Sequence, residues 1–223
     1  NYYTKLISTP NEVMFEFNRT KLFFEELLNY KIDFKKPFIN LNDNLNSKLP
    51  KKYVVFFIGA TTSFRCWPVE NFAKVARYIL NNNHNLNVLI CGGTAEEIEA
   101  KKLVNILQDK RVYNYTGKTT LVEFIEIISK ARLLLSNESN APHIAMAFSI
   151  YTIVLYNGFN FKRFIPYPKD ISNKYFPIYH PKIDNNLKKY EITSNKRGYS
   201  KVLDMKDITV DRVVNKISDL NFN

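Results

Sequence analysis

The amino-acid sequence predicts an α/β fold built on a parallel sheet. Between residues 51 and 156, short apolar segments of strand length alternate with longer segments whose apolar residues recur at helical spacing. The composition supports a sizeable core, because 45% of the residues are hydrophobic and 14% are aromatic in a chain of 223. Strands that alternate with helices join into a parallel sheet through right-handed crossovers, with helices on both faces. We therefore expect a Rossmann-like domain.

The first 50 residues lie outside this alternation. One helix is predicted there, over residues 20–30, because four leucine and phenylalanine side chains form an apolar stripe over two glutamates. Residues 34–50 lack sustained periodicity, contain many asparagines and end in Pro50. We interpret them as a linker that leads into the compact domain at Lys51.

Five strands and four helices are predicted in the alternating part. The strands cover residues 53–59, 86–91, 111–115, 131–135 and 151–156. The helices between them cover residues 69–80, 95–107, 121–128 and 141–148. Pro68 suits a first helical turn, and Thr120 with Glu123 has the spacing of a capping box.

The sequence after Asn157 carries a weaker pattern. Residues 159–181 are aromatic and proline-rich, and no strand is predicted there. A final helix is predicted over residues 210–220, where Val210, Val213 and Ile217 recur at helical spacing.

Charge and cysteine usage limit the function classes. The net charge of +11 favours anionic partners, but lysine and asparagine are abundant throughout, so the charge alone does not indicate nucleic-acid binding. Cys66 and Cys91 lack a metal-ligand spacing, and we expect a cytoplasmic protein. The apolar runs are too short to span a bilayer. Because residue 1 is not methionine and no signal peptide follows, we expect the sequence to begin inside a longer polypeptide.

The loop after the first strand is the first candidate for a binding site, because ligands of such sheets bind outside the carboxyl ends of the strands. It reads GATTSFRCWP, residues 59–68. The hydroxyls of Thr61 and Thr62 and the cation of Arg65, close to a helix start, can hold a phosphate. Taken alone, the hydroxyl residues are more simply explained as turn and helix-cap residues that bind no ligand.

Two further loops carry polar residues at strand ends. Glu96 follows two glycines after the second strand and could accept hydrogen bonds from a ribose or base, although acidic residues are common in a first helical turn. After the fourth strand come Glu138, Ser139, Asn140 and His143. A lone histidine near a helix start is often structural, and asparagine tolerates a left-handed turn, so a structural role stays open.

Taken together, these loops resemble the donor domain of glycosyltransferase family 9, the heptosyltransferase family. The resemblance covers roughly residues 51–168, and four segments carry it: GATTSFRCWPVENFAKV, CGGTAEE, YTGKTTLVEFIEIISKARLLLSNES and SNAPHIAMAF. It implies the C-terminal half of a GT-B enzyme, which has two Rossmann-like domains facing a cleft. Residues 1–50 would be the end of the acceptor domain and a linker, 51–205 the nucleotide-sugar-binding domain and 206–223 a C-terminal helix. The catalytic base would then lie upstream.

The resemblance also implies roles for single residues. Arg65 and His143 would act catalytically by stabilising the charge that grows on the leaving diphosphate. The substrate-binding residues would be Thr61, Thr62, Glu96, Glu138, Ser139 and Asn140. Two of them depart from the family pattern, because glutamate at 138 and asparagine at 140 stand where an aspartate and a glycine are usual.

The implied reaction transfers a sugar with inversion and without a metal ion. The donor would be a nucleotide sugar such as ADP-heptose, with no further cofactor, and the acceptor a lipid-linked lipopolysaccharide-core or similar glycan. Peripheral contact with the inner membrane is expected, and nucleic-acid binding is not. The alternative interpretation is a non-catalytic Rossmann-like module that binds a nucleotide or another anion.

Overall fold

The computed structural model describes residues 6–8, 10, 12–33, 36–41, 49–158, 161–189 and 203–220. Over these residues the chain forms a six-stranded sheet in which all neighbouring strands are parallel. The strands are β1 (Tyr53–Phe57), β2 (Asn87–Cys91), β3 (Val112–Asn114), β4 (Leu133–Asn137), β5 (Tyr151–Tyr156) and β6 (Tyr175–Tyr179). The prediction of a Rossmann-like parallel sheet is confirmed.

Helices connect the strands and cover both faces of the sheet. They are α1 (Glu16–Leu28), α2 (Val69–Asn82), α3 (Glu97–Leu107), α4 (Leu121–Ser129), α5 (Ala141–Ala147), α6 (Pro181–Asp184) and α7 (Val210–Asp219). Short 3-10 turns cover Ser63–Arg65, Thr94–Glu96 and Met205–Asp207. The predicted capping box of α4 is confirmed, because the Thr120 backbone N–H donates to Glu123 Oε2 over 2.7 Å and the Glu123 N–H donates back to Thr120 Oγ1 over 3.3 Å.

The strand order across the sheet is β3-β2-β1-β4-β5-β6. The chain moves outward from β1 to β3 on one side, returns to the centre at β4 and then moves outward on the other side. The direction of winding therefore reverses between β1 and β4, and the two following loops diverge there. In doubly wound sheets, this reversal opens the crevice in which ligands bind.

The core lies on both faces of the sheet. One cluster of buried side chains joins α2, α3 and α7 to one face, and Val54, Phe56 and Phe72 lie at its centre. The other joins α4 and α5 to the opposite face, around Val55, Leu89 and Leu134. All these strand residues are fully buried. This two-sided burial explains why the strands read as continuous apolar runs in the sequence.

The sixth strand was not predicted. β6 pairs in parallel with β5, with Pro177 opposite Val154. A proline within a short segment argues against a central strand because it has no N–H to donate. Here β6 is the edge of the sheet, so the chain needs backbone bonds on one side only.

α1 differs from the other long helices because it contains no buried residue. It begins four residues before the predicted helix, and it leaves Phe24, Leu27 and Leu28 exposed on its surface. The domain holds its first turn: Glu16 Oε2 accepts from Arg163 Nε over 2.8 Å, and the Glu16 N–H donates to the Arg163 carbonyl over 2.8 Å. Part of the predicted linker, residues 34, 35 and 42–48, lies outside the described residues.

The C-terminal segment packs back onto the sheet domain. Trp67 Nε1 donates to the Ile208 carbonyl over 2.9 Å, and the buried His180 bonds through Nε2 to Asp207 Oδ2 over 2.9 Å. α7, which was predicted from its valine spacing, then buries Val213 and Ile217. Among the helices of the described residues, none is both long and apolar enough to cross a membrane.

Candidate functional site

Asn137, the last residue of β4, ties together the two loops at the point where the winding reverses. Its Nδ2 donates to the Ile58 carbonyl over 2.7 Å, and its Oδ1 accepts from the Trp67 N–H over 3.0 Å. The side chain is fully buried. Because Ile58 and Trp67 lie at the beginning and near the end of the β1 loop, this single amide fixes the span of that loop.

Arg65 ends the 3-10 turn within the β1 loop. Its Nε donates to Thr62 Oγ1 over 3.3 Å, so a predicted hydroxyl and the predicted cation lie side by side. The turn is held from the opposite direction by Asn157, whose Nδ2 donates to the Phe64 carbonyl over 2.9 Å. Thr61 is exposed at the start of the loop. A cation and hydroxyls thus lie on a turn that residues at the strand ends hold by hydrogen bonds.

Glu138 faces Arg65 across the crevice. Glu138 Oε1 lies 3.9 Å from Arg65 Nη1, and the two side chains are only 6% and 12% exposed. That distance is too long for a hydrogen bond. Glu138 Oε2 is buried and has no hydrogen-bond partner among the described residues. Burial raises the pKa of Glu138 to about 8, and the nearby Arg65 offsets only part of this effect.

Ser139 and Asn140 lead from Glu138 into α5. Ser139 Oγ lies 3.3 Å from Ser136 Oγ, which in turn donates to the Asn137 carbonyl over 2.6 Å. Asn140 occupies the position before α5 in a right-handed conformation, with φ −75° and no side-chain capping bond. The left-handed turn considered for Asn140 is therefore wrong, and its exposed side chain is not used by the helix.

His143 lies in the first turn of α5 and is held by aromatic side chains. Its Nδ1 is 2.7 Å from the Tyr167 hydroxyl, and its ring packs against Phe164 and Tyr167. Burial lowers the pKa of His143, which keeps the imidazole neutral near pH 7. The structure therefore orients this histidine through the segment that follows β5.

Glu96 lies beside the carboxyl end of β1, although it belongs to the loop after β2. Its Oε2 accepts from the Gly93 N–H over 2.7 Å and caps the 3-10 turn. A side chain at Gly59 would place a Cβ 2.8 Å from Glu96 Cδ, so the Glu96 carboxylate could stay in this position only with glycine at 59 and would otherwise have to shift. The structural role considered for Glu96 is thus real, and the carboxylate also lies at the edge where ligands of such sheets bind.

The sequence brought out most of this site but not the two asparagines that brace it. Asn137 and Asn157 both stand at strand ends, and a polar residue directly after an apolar run is the only signal that the sequence offers for them. Among the described residues, no group of three or more His, Cys, Asp or Glu side chains is placed to hold a metal ion.

These features define a class of protein: a doubly wound α/β domain whose switch point carries a cation, hydroxyls and an unsatisfied carboxyl group. The model of "Glycosyltransferase family 9 (heptosyltransferase)" matches residues 18–190, well over half of the chain. The chain belongs to that family.

Curated relatives include two heptosyltransferases. "Lipopolysaccharide core heptosyltransferase OpsX" of Haemophilus influenzae is 35% identical over 102 residues, which cover 45% of this chain and 29% of the relative. "Lipooligosaccharide heptosyltransferase 2" of Campylobacter jejuni is 30% identical over 152 residues, covering 66% of this chain and 45% of the relative. The chain therefore spans less than half the length of these two relatives.

Solved structures show the same fold at lower sequence identity. The glycosyl transferase family 9 protein from Veillonella parvula superposes with a TM-score of 0.69 and 17% identity, covering 98% of this chain and 63% of that one. Escherichia coli heptosyltransferase WaaC with ADP gives a TM-score of 0.66 and 16% identity, covering 97% and 60%.

Proposed function

We propose that this chain is the donor-binding half of an inverting, metal-independent heptosyltransferase. It binds a nucleotide-diphosphate sugar, with ADP-heptose as the leading candidate, and the sugar passes to a lipopolysaccharide-core or similar glycan. The observation that carries the proposal is the group of Thr62, Arg65 and Glu138 at the β1–β4 switch point. The names of the curated heptosyltransferases and the ADP in the WaaC structure support the choice of substrate.

The diphosphate end of the donor is assigned to the β1 loop. During transfer, an acceptor oxygen forms a bond to the anomeric carbon on the face opposite the diphosphate, and the bond from that carbon to the diphosphate oxygen breaks. The electron pair of the broken bond leaves with ADP, and the acceptor proton passes to a base outside the described residues. Arg65, with the Thr61 and Thr62 hydroxyls, stabilises the growing negative charge.

The sugar end is assigned to the β4 loop. Glu138 Oε2 is a buried oxygen that finds no partner in the described part of the chain, and a sugar hydroxyl would satisfy it. Ser139 and Asn140 extend the polar surface beside it, and the exposed Asn140 side chain is free of any capping role. His143, held by Tyr167, lies next along α5 and contributes to the diphosphate end of the site.

The nucleoside is assigned to the cleft between the β1 and β2 loops. Glu96 lies there against Gly59, and its carboxylate can accept from a ribose hydroxyl or a base amino group. Binding would add a partner to Glu96 Oε1, while Oε2 keeps its bond to the Gly93 N–H.

The acceptor is assigned to a second domain preceding this one. Residues 1–50 would be the end of that domain and a linker, and the unburied surface of α1 supports a packing partner there. A lipid-linked acceptor would bring the enzyme to the cytoplasmic face of the inner membrane. The net charge of +11 suits that anionic surface.

Calorimetry tests the donor site directly. The wild-type chain is titrated with ADP, UDP, GDP and ADP-heptose. The same titrations are then repeated with the Arg65→Ala and His143→Ala variants. We expect Arg65→Ala to weaken ADP binding about 10- to 100-fold, because charge-assisted hydrogen bonds to the diphosphate are lost. The matched control is Arg132→Ala, an exposed arginine at the opposite edge of the sheet, which should bind as the wild type does.

Three outcomes distinguish the donor site from the alternative interpretations. Sugar-dependent binding that Arg65→Ala abolishes supports the donor site. Binding of many anions with equal affinity, and no transfer by the full-length enzyme, supports the non-catalytic module instead. Loss of binding in Arg132→Ala equal to that in Arg65→Ala would show general charge attraction and contradict the assignment.

A further inference from the structure

Asn157 has a buried oxygen for which the described part of the chain provides no partner. The residue directly follows β5, is 1% exposed, and its Oδ1 accepts no hydrogen bond from the described residues. The rest of the residue is bonded, because Nδ2 donates to the Phe64 carbonyl over 2.9 Å and the Asn157 carbonyl accepts from the Leu203 N–H over 3.3 Å. A buried acceptor without a donor costs free energy, so this oxygen calls for a partner from beyond the described residues.

The orientation of the Asn157 amide follows from its one strong contact. The Phe64 group that it meets is a carbonyl, which can only accept. Rotating the amide by half a turn would set Oδ1 against that carbonyl, two acceptors facing each other. Nδ2 must therefore point at Phe64, and Oδ1 must point elsewhere.

A second buried oxygen without a partner among the described residues borders the same turn. Asn157 holds Phe64, and Arg65, the next residue, faces Glu138, whose Oε2 is that oxygen. β4 and β5 are neighbours in the sheet and Asn137 pairs with Leu155, so Glu138 and Asn157 follow neighbouring strand ends and differ in level by one residue. The β1 turn thus presents a cation and hydroxyls, whereas the ends of β4 and β5 present buried oxygens that the described residues leave without partners.

These two kinds of group suit different parts of one ligand. A diphosphate offers hydrogen-bond acceptors only, and it matches Arg65 and the threonine hydroxyls. A sugar offers hydroxyl donors, and these match the oxygens of Glu138 and Asn157.

We propose that Asn157 is a sugar-contacting residue, whose Oδ1 accepts a hydrogen bond from a hydroxyl of the bound donor sugar while Nδ2 holds the Arg65 turn. This inference rests on the proposed function, because it assumes a nucleotide-sugar donor. It adds a specificity determinant at the end of β5. It also predicts that loss of the Asn157 oxygen weakens the binding of ADP-heptose more than the binding of ADP.

The test measures how much the sugar adds to binding, as the ratio of the dissociation constants for ADP and ADP-heptose. Calorimetry gives both constants for wild type, Asn157→Ala and Asn157→Asp, after thermal melts show that the variants fold. We expect Asn157→Ala to reduce the ratio about three- to tenfold, since one hydrogen bond is lost. Asn157→Asp keeps an acceptor and should restore most of the ratio, although its ADP affinity falls with the lost bond to Phe64.

Thr62→Val is the matched control. It removes the hydroxyl that Arg65 Nε meets, so it should weaken ADP and ADP-heptose equally and leave the ratio unchanged. If both Asn157 variants lower the affinities for ADP and ADP-heptose by the same factor, as Thr62→Val should, then Asn157 acts only through the Arg65 turn and the proposal is overturned. A wild-type chain that binds neither ligand would instead refute the proposed function itself.

Discussion

A glutamate is buried at each end of the parallel strands, and the two residues are held in different ways. The side of the sheet at which the strands begin is called the amino edge, and the side at which they end is called the carboxyl edge. Glu126, on α4 at the amino edge, and Glu138, at the carboxyl edge, are 3% and 5% exposed, and each has an Oε2 without a hydrogen-bond partner among the described residues. Glu126 Oε1 meets the half-exposed Lys130 ammonium at 2.6 Å within the same helix. Glu138 Oε1 is 3.9 Å from a cation on another loop.

This difference separates a pair with a structural role from the position that we propose for sugar binding. Glu126 and Lys130 are four residues apart on one helix, so the pair forms locally, and water reaches the lysine. Glu138 and Arg65 are placed by two strands and stay too far apart to satisfy each other. Buried glutamate alone is therefore no mark of function; the distance and origin of its partner are more informative.

Substitution of Asn137 should give the largest effect, and it tests whether the carboxyl edge is as rigid as its hydrogen bonds indicate. Asn137→Leu leaves the buried Ile58 carbonyl and Trp67 N–H without partners, and we expect a loss of about 2–4 kcal/mol in the free energy of unfolding. Urea denaturation followed by circular dichroism measures it. Asn87→Ala, which removes an exposed hydrogen bond to the Lys52 carbonyl at the amino edge, should cost under about 1 kcal/mol. Equal losses would erase the contrast between the edges.

The pH dependence of stability, taken per pH unit, should come next in size. The pKa of Glu138 is raised to about 8 in the folded state, so between roughly pH 4.5 and 8 the folded chain retains a proton that the unfolded chain has released. Stability from this residue is thus complete below pH 4.5 and falls as the pH rises towards 8, by up to about 1.4 kcal/mol per pH unit. Glu138→Gln should flatten that slope in urea titrations at pH 5, 6, 7 and 8. The same substitution at Glu126 serves as the control, and an identical flattening there would contradict the assignment.

The smallest effect is expected at Lys130. Lys130→Met removes the cation beside Glu126, but the lysine is 53% exposed, so water can take its place beside Glu126 Oε1. We expect a loss of less than about 1 kcal/mol at pH 7, with no change in ADP affinity by calorimetry. A change in ADP affinity would show that the two edges are coupled after all.

Five of the six strands were located from the sequence to within two residues. The segments of β1, β2, β3 and β5 are rich in aliphatic and aromatic residues. β4 begins and ends two residues later than predicted, since it continues through the polar Ser136 and Asn137. β6 was missed because an edge strand can contain a proline and needs fewer apolar residues.

The candidate site divides in a similar way. Thr62, Arg65 and Glu138 could be selected because they stand in loops directly after strands, and their proximity follows from strand order. Asn137 and Asn157 could not be selected, because their partners are carbonyls that lie 79 and 93 residues away in the chain. Such bonds depend on which strands become neighbours, and a single sequence does not reveal that directly.

Trp67 gives the site an optical probe of its own. It is the only tryptophan in the chain, it is 1% exposed, and its backbone and indole are bonded to Asn137 and to the Ile208 carbonyl. Because the indole is buried, its fluorescence emission should be blue-shifted. Because Trp67 is two residues from Arg65, the emission should also respond to changes in that turn. Each encounter between the β1 loop and a ligand would thus be visible as a change in intrinsic fluorescence, without any label.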